Sequence, residues 1–144
     1  SEKPHDYYEL MQRLKRKIEG ARDILPAPLL REETECEIGI IYLGSMENTI
    51  QEIDDILEAT GIKVSQCRVR ALPMHSEVQN FISRHKMTIV LEINRDGQLY
   101  GILRKELPNH LITKVRSVAY SDGTPPRAGI YAERILETLK EEVE

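Results

Sequence analysis

The stretch "MTIVLEINRDGQLYGIL" (residues 87–103) decides the fold. Residues 87–93 are apolar except for Thr88 and Glu92, the pattern of a parallel strand covered on both faces rather than one that alternates apolar and polar positions. Asn94, Arg95, Asp96 and Gly97 then make a polar turn, and Leu99, Ile102, Leu103 and Leu107 return at helical spacing. A strand feeding a helix through a tight turn is one unit of an α/β fold. The acid closing a buried strand must be paired, hydrogen-bonded or raised in pKa. The expected answer is structural: Glu92 accepts hydrogen bonds from the next loop, Asn94 and Asp96 build a side-chain-to-backbone turn, and Gly97 permits a sharp entry into the helix. One carboxylate without a nearby acid, base or metal performs no reaction, so this turn is read as structural or interfacial, with no catalytic residue.

Working outward, the same unit recurs. "CEIGIIYLG" (36–44) reads as a strand, with Ser45 capping a helix that carries Ile50, Ile53 and Leu57 and stops at Gly61. "IKVSQCRVRAL" (62–72) is a strand by its β-branched content, and "SEVQ" (76–79) is a capping box before Val78, Phe81 and Ile82. "LITKVRSVAY" (111–120) is a fourth strand, with Val115 and Val118 buried. After the turn "SDGTPP", Pro125 or Pro126 opens a last helix whose inner face is Ile135, Leu136, Leu139 and Val143.

Residues 5–25 carry Leu10, Leu14, Ile18, Ala21 and Leu25 on one helical face, with Arg13, Lys15, Arg16 and Lys17 largely on the other. Pro26 and Pro28 end this helix, and "LPAPLLREETE" reads as an extended linker. The chain therefore divides into an N-terminal helix and linker (1–35), laid against an α/β domain (36–144). Four strands alternating with helices imply right-handed crossovers, and so a three-layer α/β/α sandwich around a mainly parallel sheet. No internal repeat or low-complexity segment is visible.

Composition narrows the partners. A chain of 144 residues, 40% hydrophobic and 31% charged, has the material for one core. A net charge of -4 argues against nucleic acid, whose backbone needs a basic surface. No apolar run approaches the ~20 residues of a spanning helix and no signal-peptide pattern opens the chain, so no membrane partner is expected and a cytoplasmic location is. The first residue is Ser1 rather than methionine, as expected of a piece of something longer. Cys36 and Cys67 fall in predicted strands as inert thiols and cannot hold an iron-sulfur cluster unaided.

Ligands of open α/β sheets sit outside the carboxyl ends of the strands, here Gly44–Ser45, Leu72–His75, Glu92–Gly97 and Tyr120–Gly123. "LGSMENT" could offer amides to a small anion or nucleotide at the Ser45 helix N-terminus, but it has one glycine where dinucleotide fingerprints have three. Gly44 and Ser45 are thus the anion-site candidates of an alternative reading, a free-standing anion-binding module. His75 could serve as a base at its turn, while His5, His85 and His110 lie in other elements, so no metal-ligand spacing arises. "SDGTPP" invites comparison with the Gly-Asp-Gly motif that holds the metal of thiamine diphosphate. Ser121 stands at its first position and only one helix follows, which favours a plain turn.

The segment "RALPMHSEVQNFISRHKMTIVLEINRDGQLYGILRKELP" resembles the C-terminal domain of the α subunit of 2-oxoacid:ferredoxin oxidoreductases, the pyruvate and 2-oxoglutarate synthase family. Arg68, Arg70, Leu72 and Pro73 match that family's arginine-rich leucine-proline segment. Glu92, Asn94, Gly97, Gln98 and Leu99 match its glutamate-x-asparagine and Gly-Gln-Leu positions. Asp122, Gly123, a following proline and Ala128 are similar to its Asp-Gly-x-Pro and small-residue helix, and the resemblance spans roughly residues 7–140. It implies a transketolase C-terminal-like fold. It also implies a whole enzyme that uses thiamine diphosphate, magnesium, iron-sulfur clusters and CoA to decarboxylate a 2-oxoacid and reduce ferredoxin. Within that enzyme the resembled domain binds none of these cofactors; it supports assembly with the other α-subunit domains and the β subunit. Glu92, Asn94, Asp96, Gly97, Gln98, Asp122 and Gly123 are then interface or structural residues, and the N-terminal helix is a further packing surface.

Overall fold

A computed structural model describes residues 3–22 and 24–142. The elements run α1 (Pro4–Ala21), β1 (Leu29–Arg31), β2 (Ile38–Leu43), α2 (Glu47–Ala59), β3 (Val64–Val69), α3 (Ser76–Arg84), β4 (Met87–Glu92), α4 (Gln98–Glu106), α5 (Asn109–Ile112), β5 (Val115–Ala119) and α6 (Ala128–Glu141). The strands form one sheet in the order β1-β3-β2-β4-β5. β2, β3, β4 and β5 are parallel, in the register Ile40↔Gln66, Ile40↔Ile89 and Val90↔Ser117, while β1 is antiparallel to β3. The three-layer, mainly parallel α/β/α architecture is as expected.

Alternation along the strands splits the core in two. Ile40, Tyr42, Ile89, Leu91 and Val118 face α2 and α6, against Ile53, Leu57, Tyr131 and Ile135. Ile41, Cys67, Val69, Val90 and Val115 face α3, α4 and α5, against Val78, Phe81, Ile82, Leu99, Leu103 and Leu111. The apolar stripes predicted for α2, α3, α4 and α6 are thus buried, while that of α1 is not. Val143, assigned to the inner face of the last helix, lies outside the described residues.

Several boundaries move, each for a local reason. The expected linker contributes β1: buried Pro28, which lacks an N–H, precedes a three-residue edge strand, and Leu30 reaches the core opposite Cys67. Helix α1 ends at Ala21 rather than Leu25, since the residue before Pro26 is pushed out of the helical region. It also buries none of its residues, so it is not laid against the domain as expected. Ser45 does not cap α2: it lies within a 3-10 turn (Gly44–Met46) and forms no capping bond. The cap of α3 is His75, not Ser76, because the His75 Nδ1 accepts from the Glu77 N–H at 3.1 Å. Cys36 precedes β2 rather than lying within it. Residues 109–112 are helical, so the fourth predicted strand starts at Val115, and α6 opens at Ala128, after both prolines. Gly61, with φ of 84°, ends α2 as expected.

Candidate functional site at the carboxyl ends of the strands

The connections place a crevice. From β2 the chain moves to β3 on one side through α2, and later passes to β4 on the other, so its direction reverses between β2 and β4. The loops leaving these two strands part to opposite faces, one into α2 and one into α4. At such a switch point a ligand crevice is expected. A space of about 190 Å³ does lie there, lined by Leu43, Gly44, Ser45, Leu91, Glu92, Ile93 and Asn94. Two groups of candidates separated by some fifty residues in sequence thereby come together. Asp122 and Gly123 do not join them; they lie beyond the end of β5.

Glu92 is 4% exposed, and its carboxylate is fully engaged. Oε1 accepts from the Leu99 N–H at 2.6 Å and the Asn94 amide at 3.0 Å, and Oε2 accepts from the Tyr100 N–H at 3.1 Å. Leu99 and Tyr100 are the second and third residues of α4, so their N–H groups lack partners within the helix. The residue at the capping position is Gly97, in the left-handed region (φ 62°, ψ 53°) and without a side chain to offer. Glu92 therefore caps α4 from the preceding strand and places negative charge at the positive end of the helix dipole. Asn94 Oδ1 completes the turn, accepting from the Asp96 N–H at 3.1 Å and the Gly97 N–H at 2.7 Å. Asp96 turns outward and pairs with Arg95. A Cβ at position 97 would lie 3.0 Å from Ser117 Oγ, so glycine is needed there for space as well as for conformation.

The neighbouring strand end is held by a residue the sequence reading missed. Tyr131, fully buried in α6, places its hydroxyl 2.9 Å from the Tyr120 carbonyl oxygen and 3.1 Å from that of Glu92. Burial pushes its phenol pKa upward. Its position four residues before Ile135 was the available signal, because it continues the same helical face.

Asp122 organises the next loop. Its Oδ1 accepts from the Thr124 N–H and hydroxyl at 3.0 and 2.6 Å, and its Oδ2 from the Tyr120 hydroxyl and Arg127 at 2.9 and 2.6 Å. The Thr124 hydrogen bonds, with those from Tyr120 and Arg127, hold this carboxyl well below its ordinary 3.8. A depressed pKa means that the folded state releases the proton more readily, so this contribution to stability is present above about pH 3.8 and is lost only in stronger acid. Following the Asp122 carboxyl carbon by NMR is expected to give a midpoint well below 3.8; a midpoint at 3.8 would mean the loop is not held this way.

The remaining candidates carry little chemistry. Burial raises the Cys67 thiol to about 12, which leaves it protonated. The Tyr42 hydroxyl donates to Glu47 at 2.7 Å, and burial first, then that bond, raises its pKa. No three His, Cys, Asp or Glu side chains come together as a metal site among the described residues. Asp122, the counterpart of the diphosphate-motif acid, already has four donors. The described residues therefore do not fit thiamine diphosphate with its metal, nor an iron-sulfur cluster. The switch-point crevice is smaller than the ~300 Å³ of a typical small-molecule site. Its lining includes a carboxylate and no cationic side chain, which opposes an anion at Gly44 and Ser45.

No protein-family model matches the chain, and no curated protein matches it. Solved structures share its fold. A 2-oxoglutarate:ferredoxin oxidoreductase from Magnetococcus marinus, solved with 2-oxoglutarate, coenzyme A and succinyl-CoA bound, superposes with a TM-score of 0.76 at 24% identity over 95% of this chain. A split-gene transketolase, solved as an inactive beta4 tetramer, superposes with a TM-score of 0.57 at 19% identity over 78% of this chain and 41% of its own. At these identities the likeness is one of fold. The chain spans 24% of the length of the oxidoreductase chain.

Proposed function

We propose that this chain is a non-catalytic assembly domain of a thiamine-diphosphate-dependent 2-oxoacid:ferredoxin oxidoreductase, packed against other domains of an α subunit and against a β subunit. The whole cytoplasmic enzyme would decarboxylate a 2-oxoacid to an acyl-CoA and pass the electrons to ferredoxin, using thiamine diphosphate, magnesium and an iron-sulfur cluster held elsewhere. The observation that carries this reading is the extent of the shared fold: nearly the whole chain fits within one quarter of an oxidoreductase chain.

The site chemistry supports an assembly role. Glu92, Asn94 and Asp122, the polar groups at the strand ends, are occupied within the chain and shape the rim. Leu43 and Leu72, also at strand carboxyl ends, are 41% and 49% exposed, which leaves apolar surface there for a neighbour. Calorimetric titration of the chain with thiamine diphosphate and Mg²⁺ is expected to give no binding heat. Tight binding of the cofactor by this chain alone would overturn the assignment.

A further inference from the structure

Helix α1 carries an apolar stripe that the domain does not cover. Tyr7, Met11, Leu14 and Ile18 follow at steps of four, three and four, the spacing of a coiled-coil seam. They are 56, 43, 40 and 57% exposed. Arg22, just past the end of the helix, fastens this arm to the body through the Met74 carbonyl oxygen at 2.7 Å and Glu106 at 2.8 Å. With 18 residues at a rise of ~1.5 Å each, the arm is long enough for about two and a half heptads.

Its charge is unevenly divided. Residues 3–12 carry Lys3 against Asp6 and Glu9, a net of -1, whereas residues 13–21 carry Arg13, Lys15, Arg16 and Lys17 against Glu19, a net of +3, Arg22 being paired with Glu106 of the body. A parallel pair of such helices would lay +3 along +3. An antiparallel pair lays each basic half along the other's -1 half. The same arrangement aligns the seam about a two-fold axis, with Tyr7 opposite Ile18 and Met11 opposite Leu14 of the second copy, giving four apolar layers. It also sets Lys15 beside Tyr8 of the second copy, so that the ammonium meets a ring rather than another cation.

We propose that α1 is an interface between two copies of this chain, paired antiparallel through the Tyr7–Ile18 seam. This association is independent of the enzymatic reading above, since it involves neither the strand ends nor any cofactor. The seam has a 3.5-residue period with Tyr8 and Leu10 flanking it, and the rest of the helix mixes Asp6, Glu9 and Glu19 with Arg13, Arg16 and Lys17, a period and mixed charge that suit a second helix better than an anionic bilayer.

Sedimentation equilibrium of the 144-residue chain tests it. The weight-average mass is expected to climb from 16.6 kDa toward twice that value as concentration rises. The double substitution M11E/I18E is expected to weaken association at least about tenfold by placing carboxylates in the seam. It should leave thermal unfolding of the monomer unchanged, since neither residue is buried. In a Cys36→Ser background, mixed Y8C and K15C chains are expected to form a disulfide with each other in preference to M11C with itself. The proposal is overturned if the chain stays monomeric at every concentration, if M11E/I18E leaves the dimer intact, or if M11C with itself is the favoured cross-link. Binding to anionic phospholipid vesicles by a chain that remains monomeric in solution would likewise overturn it.

Discussion

Glu92→Ala is expected to lower the stability of the fold by about 3 kcal/mol, since two helix N–H groups lose a charged acceptor in a place water reaches poorly. Leu99 and Tyr100 donate at 2.6 and 3.1 Å to a carboxylate that is 4% exposed, and Gly97 offers no substitute. Glu92→Gln is expected to lose less, about 1–2 kcal/mol, because its single carbonyl oxygen can serve one side while its NH₂ faces a donor on the other. Urea unfolding gives the magnitude. Amide exchange gives the place: protection should fall first at Leu99 and Tyr100. In the whole enzyme, Glu92→Gln should act through packing and leave turnover of assembled molecules intact. An enzyme that assembled normally with this change yet lost decarboxylation would show that the carboxylate takes part in the reaction.

The same residue shows how far the sequence could be read. A carboxylate closing an apolar strand had to be answered by nearby donors, and the turn residues Asn94 and Gly97 announced where the chain would reverse. Burial and periodicity were legible for the same reason in α2, α3 and α4, where Ile53, Phe81 and Leu103 recur at spacings that only a helix turns to one face. What escaped depends on contacts distant in sequence. β1 is three residues long directly after Pro28, and its pairing with β3 is invisible without the partner strand. His75 caps α3 through a ring nitrogen, a role its residue type does not advertise. The crevice exists because strand order reverses beside β2, so Gly44 and Glu92 become neighbours through topology alone. Covered and bare apolar stripes look alike in sequence, hence the mistaken expectation that α1 would pack on the body.

Gly39→Ala is expected to cost about 1–3 kcal/mol, the range for overpacking a filled core, and Gly39→Val more. A Cβ at this position would lie 2.6 Å from Phe81 Cε1 and 3.2 Å from the His85 ring. Neither neighbour can easily withdraw: Phe81 is fully buried, its ring centroid is 4.3 Å from that of His85, and His85 Nδ1 is held 2.7 Å from the Phe81 carbonyl oxygen. The strand cannot shift either, because Gly39 sits in register with Ser65 on one side and Thr88 on the other. An opposing effect exists: replacing glycine by alanine restricts the unfolded chain and favours folding by about 0.4–1 kcal/mol where the backbone allows it. The clash is the larger quantity, so the sign is destabilising. Phe81→Leu alone should also destabilise, through the cavity it leaves. The double variant G39A/F81L should lose less than the two single losses together, because each change relieves the fault of the other. Additive losses in denaturant unfolding, or a Gly39→Ala variant as stable as the parent, would show that the ring moves aside and that close packing of α3 on β2 does not explain the glycine.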